Sequence, residues 1–386
     1  PVHNGQISCE GDKMKRAQIP NIINDLDKKM VFITGPRQVG KTWISKEIAK
    51  TIPQSLYLNY DAREDRKIIE EEAWLDTTRL LILDELHKMD GWKNYLKGVF
   101  DTRPDHLKIL VTGSARLEAF RHSGDSLAGR YFRHRLLPFS PAELAQIRES
   151  VDLEKLTERS GFPEPFLAES NIDADRWRMQ YLDGLIRTDI LDFENVHDLR
   201  AMQLVLDLLR YRVGSPASYS SLAEDVGIAP NTVKKYIQIL ESLFIVFKVT
   251  PFSTSIARSV KKEPKIYFFD TALVNGDDGK RFENIVALSL LKHVYARVDQ
   301  RGQPCELHYL RTKDKKEVDF CVACNNMPEL MIEVKLSKTD IGKGLTYFNT
   351  RYGIPGILLV KHLKREKKAG SIDIRRGNEF LSSLML

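Results

Sequence analysis

Eight consecutive residues near the start of the chain have the types and spacing that bind a phosphate group. An apolar run, residues 30–34, precedes them, and a helix-favouring segment, residues 43–50, follows. A strand, a Gly-x-x-x-x-Gly-Lys-Thr loop and a helix form the P-loop, in which backbone N–H groups and the positive end of the helix face a phosphate. The pattern predicts nucleotide contacts from Gly35, Pro36, Arg37, Gln38, Val39, Gly40, Lys41 and Thr42.

Two carboxylates follow a second apolar run. Residues 80–83 are all apolar, and Asp84 and Glu85 come directly after them. A continuous apolar run is typical of a strand in a parallel sheet that is buried on both faces. In such a site Lys41 would reach the β- and γ-phosphates, while Thr42 and Asp84 would hold Mg²⁺. Glu85 would orient and deprotonate the attacking water, so the pattern predicts hydrolysis of ATP with Mg²⁺ as cofactor.

A third run, residues 107–112, also reads as a buried strand and leads towards Ser114. A polar side chain at the end of a strand beside the acidic one is well placed to sense the γ-phosphate. Ser114 is the first candidate for this catalytic role and Thr112 is the alternative. Serine is also favoured as an ordinary helix cap, so the pattern does not separate the two interpretations.

Arg130 stands just before a segment, residues 131–137, in which apolar and basic residues alternate. Hydrolysis builds negative charge on the γ-phosphoryl oxygens, and an arginine from a neighbouring subunit can stabilise it. Arg130 is the first candidate for this catalytic arginine, ahead of Arg116 and Arg133. An arginine paired with an acidic surface neighbour would give the same sequence pattern.

The composition is that of a globular protein with more than one domain. The 386 residues are 42% hydrophobic and 29% charged, and the net charge of +6 permits nucleic-acid binding without arguing for it. No apolar run approaches the roughly 18–20 residues that a membrane span needs, and the first residues do not resemble a signal peptide. With four cysteines in such a long chain, we expect a cytoplasmic protein with reduced thiols and no membrane partner. Cys321 and Cys324 have zinc or redox spacing, but the apolar run around them favours two core residues.

A helix-turn-helix pattern lies in the middle of the chain. Residues 219–226 form a short helical pattern, Gly227 lies in the turn, and residues 231–240 form a second helix, followed by a strand pattern at 244–249 that would begin a wing. Winged helices attached to ATPases read DNA or serve as packing modules or intersubunit contacts, and the pattern leaves these roles open. In a DNA-binding domain the exposed face of the second helix would enter the major groove with Thr232, Lys234, Lys235 and Gln238.

The last third contains a second constellation of acidic residues. Asp319 and Glu333 lie in two strand patterns separated by a short connection, and Lys335 follows Glu333 by two residues. Adjacent antiparallel strands would bring the two carboxylates together, with Lys335 on the same face as Glu333. Two carboxylates can hold Mg²⁺, Lys335 can steady a water or phosphate, and Glu283 on an upstream helix can add a third metal ligand. The alternative is that these acids only pair with neighbouring cations.

Taken in order, the segments GPRQVGKT, LLILDE, VTGSAR, SLAGR and LLPFSPAEL resemble a family of prokaryotic AAA-type ATPases of previously unknown function. Members of that family carry a C-terminal restriction-nuclease-like domain, and the similarity extends over nearly all of the chain. The resemblance implies an ATP-dependent homo-oligomer, a ring or partial ring, that acts on DNA. It also implies that the helices after residue 145 form a lid over the nucleotide.

We therefore predict an α/β protein with a P-loop NTPase core of AAA type. The ATPase domain is expected at residues 15–145, a helical lid or linker at 146–196, a winged-helix domain at 197–272 and a restriction-endonuclease-like α/β domain at 273–386. The main hypothesis is an oligomeric ATPase that binds or remodels branched or single-stranded DNA. One alternative is a nucleotide-controlled assembly switch that binds a protein partner, and another is a metal-dependent nuclease gated by the ATPase.

Overall fold

The computed structural model describes residues 16–113, 127–146, 151–186, 198–253 and 263–386. A five-stranded parallel sheet forms the first part of the chain, with strand order β2-β3-β4-β1-β5. Its elements are α1 (Ile19–Leu26), β1 (Met30–Thr34), α2 (Lys41–Thr51), β2 (Ser55–Asn59), α3 (Arg63–Glu70), β3 (Leu80–Asp84), α4 (Trp92–Thr102), β4 (Lys108–Gly113) and β5 (Tyr131–Arg135).

This sheet separates two hydrophobic cores, one on each of its faces. In β1, Val31 and Ile33 pack into one core, whereas Met30 and Phe32 pack into the other. Strand β3 divides in the same way, because successive side chains of a strand point to opposite faces of the sheet. Every residue of β1 and β3 is buried, as a parallel sheet covered on both faces requires.

In the described residues, four helices follow the first sheet: α5 (Pro141–Ala145), α6 (Leu153–Arg159), α7 (Pro163–Leu167) and α8 (Asn171–Gly184). Their core is aromatic, since the Phe162 ring lies 5.3 Å from the rings of both Trp177 and Tyr181. Gly161 fits because a Cβ at this position would lie 2.3 Å from the Phe139 carbonyl oxygen. This close approach ties the helices to the segment that follows β5.

The middle and last parts of the chain share one sheet. Helices α9 (Leu199–Tyr211), α10 (Tyr219–Val226) and α11 (Pro230–Ser242) precede the antiparallel strands β6 (Val246–Pro251) and β7 (Lys265–Phe268). Strand β6 also pairs with β8 in parallel, through Thr250 and His308. The resulting eight-stranded sheet has the order β12-β13-β11-β10-β9-β8-β6-β7, so it crosses the domain boundary that was predicted after residue 272.

The remaining elements complete this second sheet. A 24-residue helix, α12, leads into it and also contacts edge strand β5 of the first sheet. The elements are α12 (Asp278–Arg301), β8 (Cys305–Arg311), β9 (Glu317–Cys324), β10 (Met327–Lys335), α13 (Lys343–Tyr352), β11 (Gly356–Val360), β12 (Lys367–Ala369), β13 (Ile372–Arg376) and α14 (Gly377–Ser382).

The cysteines differ from the expectation of reduced thiols. Cys324 forms a disulfide with Cys305, and Cys321 is a buried free cysteine, so the Cys-x-x-Cys pair does not act together. The physical reason is register, because Cys305 on β8 lies directly opposite Cys324 on β9. Successive positions of a strand alternate between faces, and Cys321 and Cys324 are three residues apart, which places them on opposite faces. In the part of the chain that the structure describes, no helix is long and apolar enough to cross a membrane.

Candidate functional site

The loop between β1 and α2 has the backbone geometry that its glycines permit. Gly35 has a φ of 151°, and a Cβ there would lie 2.0 Å from the Leu136 carbonyl oxygen. Gly40 has a φ of 97° and is the N-cap of α2, with no side chain capping the helix. Both glycines are therefore required by the close approach and by the turn. The free N–H groups at the start of α2 face the cleft as an anion-binding end.

Lys41 is buried within this loop. Its Nζ atom donates to the carbonyl oxygens of Gly35 and Pro36 at 3.0 and 2.6 Å. Burial lowers the pKa of Lys41 to about 8, although the nearby carboxylates of Glu85 and Asp84 act in the opposite direction. The ammonium group is therefore held by weak neutral acceptors, which a phosphate oxygen can replace.

Asp84, at the carboxyl end of β3, accepts hydrogen bonds from three hydroxyl groups. Thr42 donates to its Oδ2 atom at 3.0 Å, Tyr57 donates to the same atom at 2.6 Å, and Thr112 donates to Oδ1. The structure thus places Thr42 beside Asp84, as the predicted metal-binding pair requires. Hydroxyl and carboxylate oxygens are the ligands that Mg²⁺ prefers, so the donor set fits this ion. The roles of Tyr57 and Thr112 at Asp84 were not predicted from the sequence.

Glu85 adopts a left-handed backbone conformation with a φ of 55°. Its N–H donates to the Thr112 carbonyl oxygen at 3.0 Å, which fixes the turn after β3. The carboxylate lies 3.5 Å from His87 Nε2 and 3.9 Å from Lys88 Nζ. Burial raises the pKa of Glu85, and the charge of Asp84 raises it further. A carboxylate with a raised pKa beside the metal-binding pair is suited to accept a proton from water.

A cleft of about 780 Å³ opens over these residues. The P-loop and the strand ends form one side of it, and Pro163 and Glu164 from α7 contribute to the other. Trp177 on α8 donates from its indole N–H to the Gln38 side-chain oxygen at 2.6 Å. The helices after the ATPase sheet therefore contact the phosphate loop directly, where a lid would lie.

The structure describes only some of the other catalytic candidates predicted for this site. Ser114 and Arg116 lie outside the described residues. Arg130 is described, and its guanidinium forms a two-point contact with Asp101 of the same chain, at 2.8 and 2.9 Å. An ion pair at the surface contributes little to stability, so Arg130 can exchange Asp101 for another partner.

The helix-turn-helix candidates lie on α11. Gly227 ends α10 in a left-handed conformation, and α11 begins at Pro230. Its apolar face, which includes Val233 and Tyr236, is buried against α9 and α10. The opposite face presents the predicted set, of which Lys234, Lys235 and Gln238 are exposed and Thr232 is half-buried.

The C-terminal acidic residues surround a lysine that the sequence patterns did not reveal. Lys265 on β7 is buried, and its Nζ atom lies 2.9 Å from Glu317, 3.5 Å from Asp319 and 3.8 Å from Glu283. Burial raises the pKa of Glu283 to about 7, and the charge of Asp319 adds to this effect. The three carboxylates come from α12 and β9, so only the tertiary fold brings them to Lys265.

Glu333 and Lys335 lie beside this group and form an ion pair at 2.9 Å. Glu333 is buried, and one of its carboxylate oxygens has no hydrogen-bond partner. Among the residues that the structure describes, no three acidic, histidine or cysteine side chains are placed to hold a metal ion. This differs from the predicted metal site of Asp319, Glu333 and Glu283, because a lysine supplies the positive charge between the carboxylates.

Three family models match consecutive parts of the chain. Residues 27–145 match a model described as an AAA domain. Residues 150–279 and 278–376 match two models described as domains of unknown function, DUF8612 and DUF4143. Among curated proteins, the chain is similar to an uncharacterized protein of Mycobacterium tuberculosis, Rv2008c, with 26% identity over 80% of this chain and 71% of that protein. An uncharacterized protein of Methanocaldococcus jannaschii, MJ1637, is 23% identical over 91% of this chain and 85% of its own length.

Solved structures give weaker similarity. The Walker-type ATPase PABY2304 of Pyrococcus abyssi aligns with a TM-score of 0.44 and 14% identity, over 68% of this chain and 95% of that one. The Aeropyrum pernix Orc1 protein, solved in complex with DNA, aligns with a TM-score of 0.30 and 13% identity, over 68% and 93% of the two chains. Scores of this size establish no shared overall fold. The match to the AAA model, the parallel sheet and the geometry of the phosphate loop agree, and residues 27–145 form an AAA-type P-loop ATPase domain.

Proposed function

We propose that the protein hydrolyses ATP with Mg²⁺ in the cleft above β1 and β3. The observation that supports this most directly is that four side chains meet at the carboxyl ends of β1 and β3, which lie on either side of β4: Lys41, Thr42, Asp84 and Glu85. Ligands of parallel α/β sheets bind at these ends. Magnesium would supply charge stabilisation at the phosphates and would be held by Thr42 and Asp84.

The chain's own groups then have distinct tasks. Lys41 leaves the carbonyl oxygens of the loop and pairs with the β- and γ-phosphates. Glu85 accepts a proton from the attacking water, from a backbone that is held in the left-handed conformation directly after β3. Thr112 holds Asp84 in place from β4. Ser114 remains the proposed γ-phosphate sensor.

A substitution at Glu85 tests this assignment. Glu85→Gln should bind ATP with the affinity of the unmodified protein and lose turnover by about 100-fold or more, the contribution typical of a general base. The matched control is Glu164→Gln, which makes the same change in the same cleft but on the lid helix α7. Turnover by Glu85→Gln within a few-fold of the unmodified protein would contradict the assignment of the base.

We further propose that the protein is a cytoplasmic homo-oligomer, a ring or partial ring, that acts on branched or single-stranded DNA. The support is local to the middle segment, where the exposed face of α11 carries two adjacent lysines and the antiparallel strands β6 and β7 follow the helices as a wing would. Lysines are better suited to contact the phosphate backbone of DNA than to recognise its bases.

DNA-stimulated ATP hydrolysis is the test of this proposal. Turnover should rise with added single-stranded or forked DNA, and the double substitution of Lys234 and Lys235 by alanine should remove the effect. The control removes two exposed lysines from the ATPase domain, Lys67 and Lys97, which gives the same change of net charge. Equal stimulation of both double variants would exclude the α11 face as the DNA contact.

The proposed C-terminal restriction-nuclease-like domain has two possible activities, binding and cutting. Binding of DNA is compatible with the geometry, whereas cutting needs a divalent metal at the acidic cluster, where Lys265 already lies among the carboxylates. Plasmid nicking in Mg²⁺ or Mn²⁺ decides between them. Nicking that disappears in Asp319→Ala would establish cleavage, and the absence of nicking would leave the domain as a binding module.

One contact favours the second candidate, a nucleotide-controlled assembly switch with a protein partner. Trp177 on the lid bonds to Gln38 in the phosphate loop, so occupancy of the loop can be transmitted to the lid. A switch would assemble on binding ATP and show no effect of DNA on turnover. Particle mass measured with ATP, with ADP and without nucleotide, alongside the DNA titration, distinguishes the switch from the DNA-acting ATPase.

A further inference from the structure

The phosphate loop is attached to the C-terminal part of the chain by a buried chain of charged groups. Arg16, before α1, donates from Nη2 to the Val39 carbonyl oxygen of the loop at 2.6 Å. Its Nη1 atom bonds to both carboxylate oxygens of Glu143 at 2.9 Å. Glu143 in turn accepts a hydrogen bond from Lys292 on α12. The contacts run from a backbone atom of the nucleotide site to a helix of the last domain.

The three charged side chains are almost completely removed from solvent. The exposed fraction of each is 2% or less. Burial lowers the pKa of Lys292 to about 8, while the Glu143 carboxylate opposes this shift. A buried ion pair stabilises a fold only when its geometry and hydrogen bonds are complete, and breaking one partner is costly. Such a group therefore tolerates few arrangements, and a displacement of one member is transmitted to the others.

Neutral acceptors connect the same groups to the segment after β5. Arg16 donates to the Leu137 carbonyl oxygen from both of its terminal nitrogens at 3.1 Å, and its guanidinium lies 4.5 Å above the Phe139 ring. Lys292 donates to the Pro138 carbonyl oxygen at 3.1 Å. The preceding residue of this segment, Leu136, is the one whose carbonyl oxygen lies against Gly35. Lys292 and Arg16 thus hold one segment that contacts the loop at Gly35, and Arg16 also contacts the loop directly at Val39.

We infer that Lys292, in the C-terminal domain, is a positioning residue of the nucleotide site, acting on the phosphate loop through Glu143, Arg16 and the segment 136–139. The inference rests on the proposed binding of nucleotide and adds a second domain to the site. Occupancy of the loop and the position of α12 are then linked, because each change in one alters the contacts of the other.

The test measures the Kd of a fluorescent ADP analogue for the full chain. Lys292→Met keeps the length of the side chain and removes its charge and its donors. We expect it to weaken nucleotide binding by about three- to tenfold, the range found for residues that couple sites through packed networks. The matched control is Asp299→Asn, seven residues later on the same face of α12. Asp299 binds Arg135 on β5 at 2.7 and 2.8 Å, so this variant disturbs the same interface through a contact that does not involve Arg16 or Glu143.

The outcomes separate positioning from general loss of stability. Thermal midpoints of both variants should fall, but only Lys292→Met should change the Kd. An unchanged Kd in Lys292→Met, or the same change in both variants, would overturn the inference. Absence of binding by the unmodified protein would instead contradict the proposed function.

A second variant tests the same connection from the Arg16 side if Lys292→Met does not fold. Arg16→Lys keeps the charge but has only one terminal nitrogen to share between Val39 and Glu143. It should weaken binding as well. Where Lys292→Met does fold, the double variant should bind no more weakly than Arg16→Lys alone, because both changes break the same chain of contacts. Strictly additive effects on the Kd would contradict a connection through Glu143.

Discussion

Tyr57→Phe tests whether the hydroxyl groups around Asp84 hold a charged group. The substitution removes one oxygen that donates to Asp84 Oδ2 at 2.6 Å and leaves the ring in place. A hydrogen bond to a charged acceptor contributes about 1.5–3 kcal/mol to stability, against about 0.5–1.5 kcal/mol for a neutral pair. We therefore expect the free energy of unfolding to fall by about 1.5–3 kcal/mol in the absence of nucleotide.

The chain offers a matched control in Tyr95. Its hydroxyl also donates at 2.6 Å, but to the neutral carbonyl oxygen of Ile69, and the ring is part-buried like that of Tyr57. Tyr95→Phe should cost about 0.5–1.5 kcal/mol. Urea unfolding of the two variants and the unmodified protein, followed by circular dichroism at pH 7.5, gives the comparison. Equal losses in the two variants would refute the assignment of a charged acceptor at Tyr57.

The same variant has a consequence for the metal. Groups that orient metal-binding carboxylates typically account for about 10- to 100-fold in metal affinity or activity when removed. The Mg²⁺ concentration for half-maximal ATP hydrolysis should therefore rise by about tenfold in Tyr57→Phe and remain unchanged in Tyr95→Phe. A Mg²⁺ titration at saturating ATP measures this shift, and an unchanged value would show that Tyr57 has no part in the metal site.

Three further predictions concern charge. The pKa of Lys41 is lowered to about 8, and a bound phosphate stabilises the protonated lysine. Nucleotide affinity should therefore be full below pH 8 and weaken by up to about tenfold per pH unit above it. Calorimetry from pH 7 to 9 measures this dependence, and Lys41→Ala should lose affinity at every pH. Arg130→Ala subunits mixed with unmodified subunits should lower turnover more than in proportion to their fraction, whereas proportional loss would exclude a role across subunits. Lys265→Met should destabilise the fold by up to about 3–5 kcal/mol at pH 7, since it removes the buried cation that three half-buried carboxylates share. The loss of unfolding free energy in Lys265→Met should be smaller at pH 5, because the pKa of Glu283 is raised to about 7 and this carboxylate is neutral at the lower pH. Lys335→Met should lower the free energy of unfolding much less at both pH values.

The nucleotide site was accessible from the sequence because its residues are close together along the chain. The loop from Gly35 to Thr42 is contiguous, and the strand that ends at Asp84 is a continuous apolar run. Each pattern combines a local backbone preference with a burial requirement, and the two agree. Residues 27–145 match an AAA model, which confirms the ATPase domain, while the roles of the individual residues stay predictions.

The contacts that the sequence did not reveal depend on long-range register. Tyr57 reaches Asp84 because β2 pairs with β3 in parallel, and a tyrosine in an alternating strand carries no signal of that partner. Lys265 lies in a hydrophobic strand, and its carboxylates follow 18 to 54 positions later. Cys305 is bonded to Cys324 only because β8 and β9 are antiparallel neighbours. Sheet pairing of this kind is decided by the whole fold.

The pairing of β6 with β8 determines where the molecule can be divided. A fragment that begins at residue 273 would lack β6 and β7, and with them Lys265. Strand β8 would become an unprotected edge, ready to pair with another chain, and three carboxylates would lose their shared ammonium group. Expression of the second sheet as an independent unit therefore requires the chain from before β6 onward, and the shorter fragment is expected to aggregate.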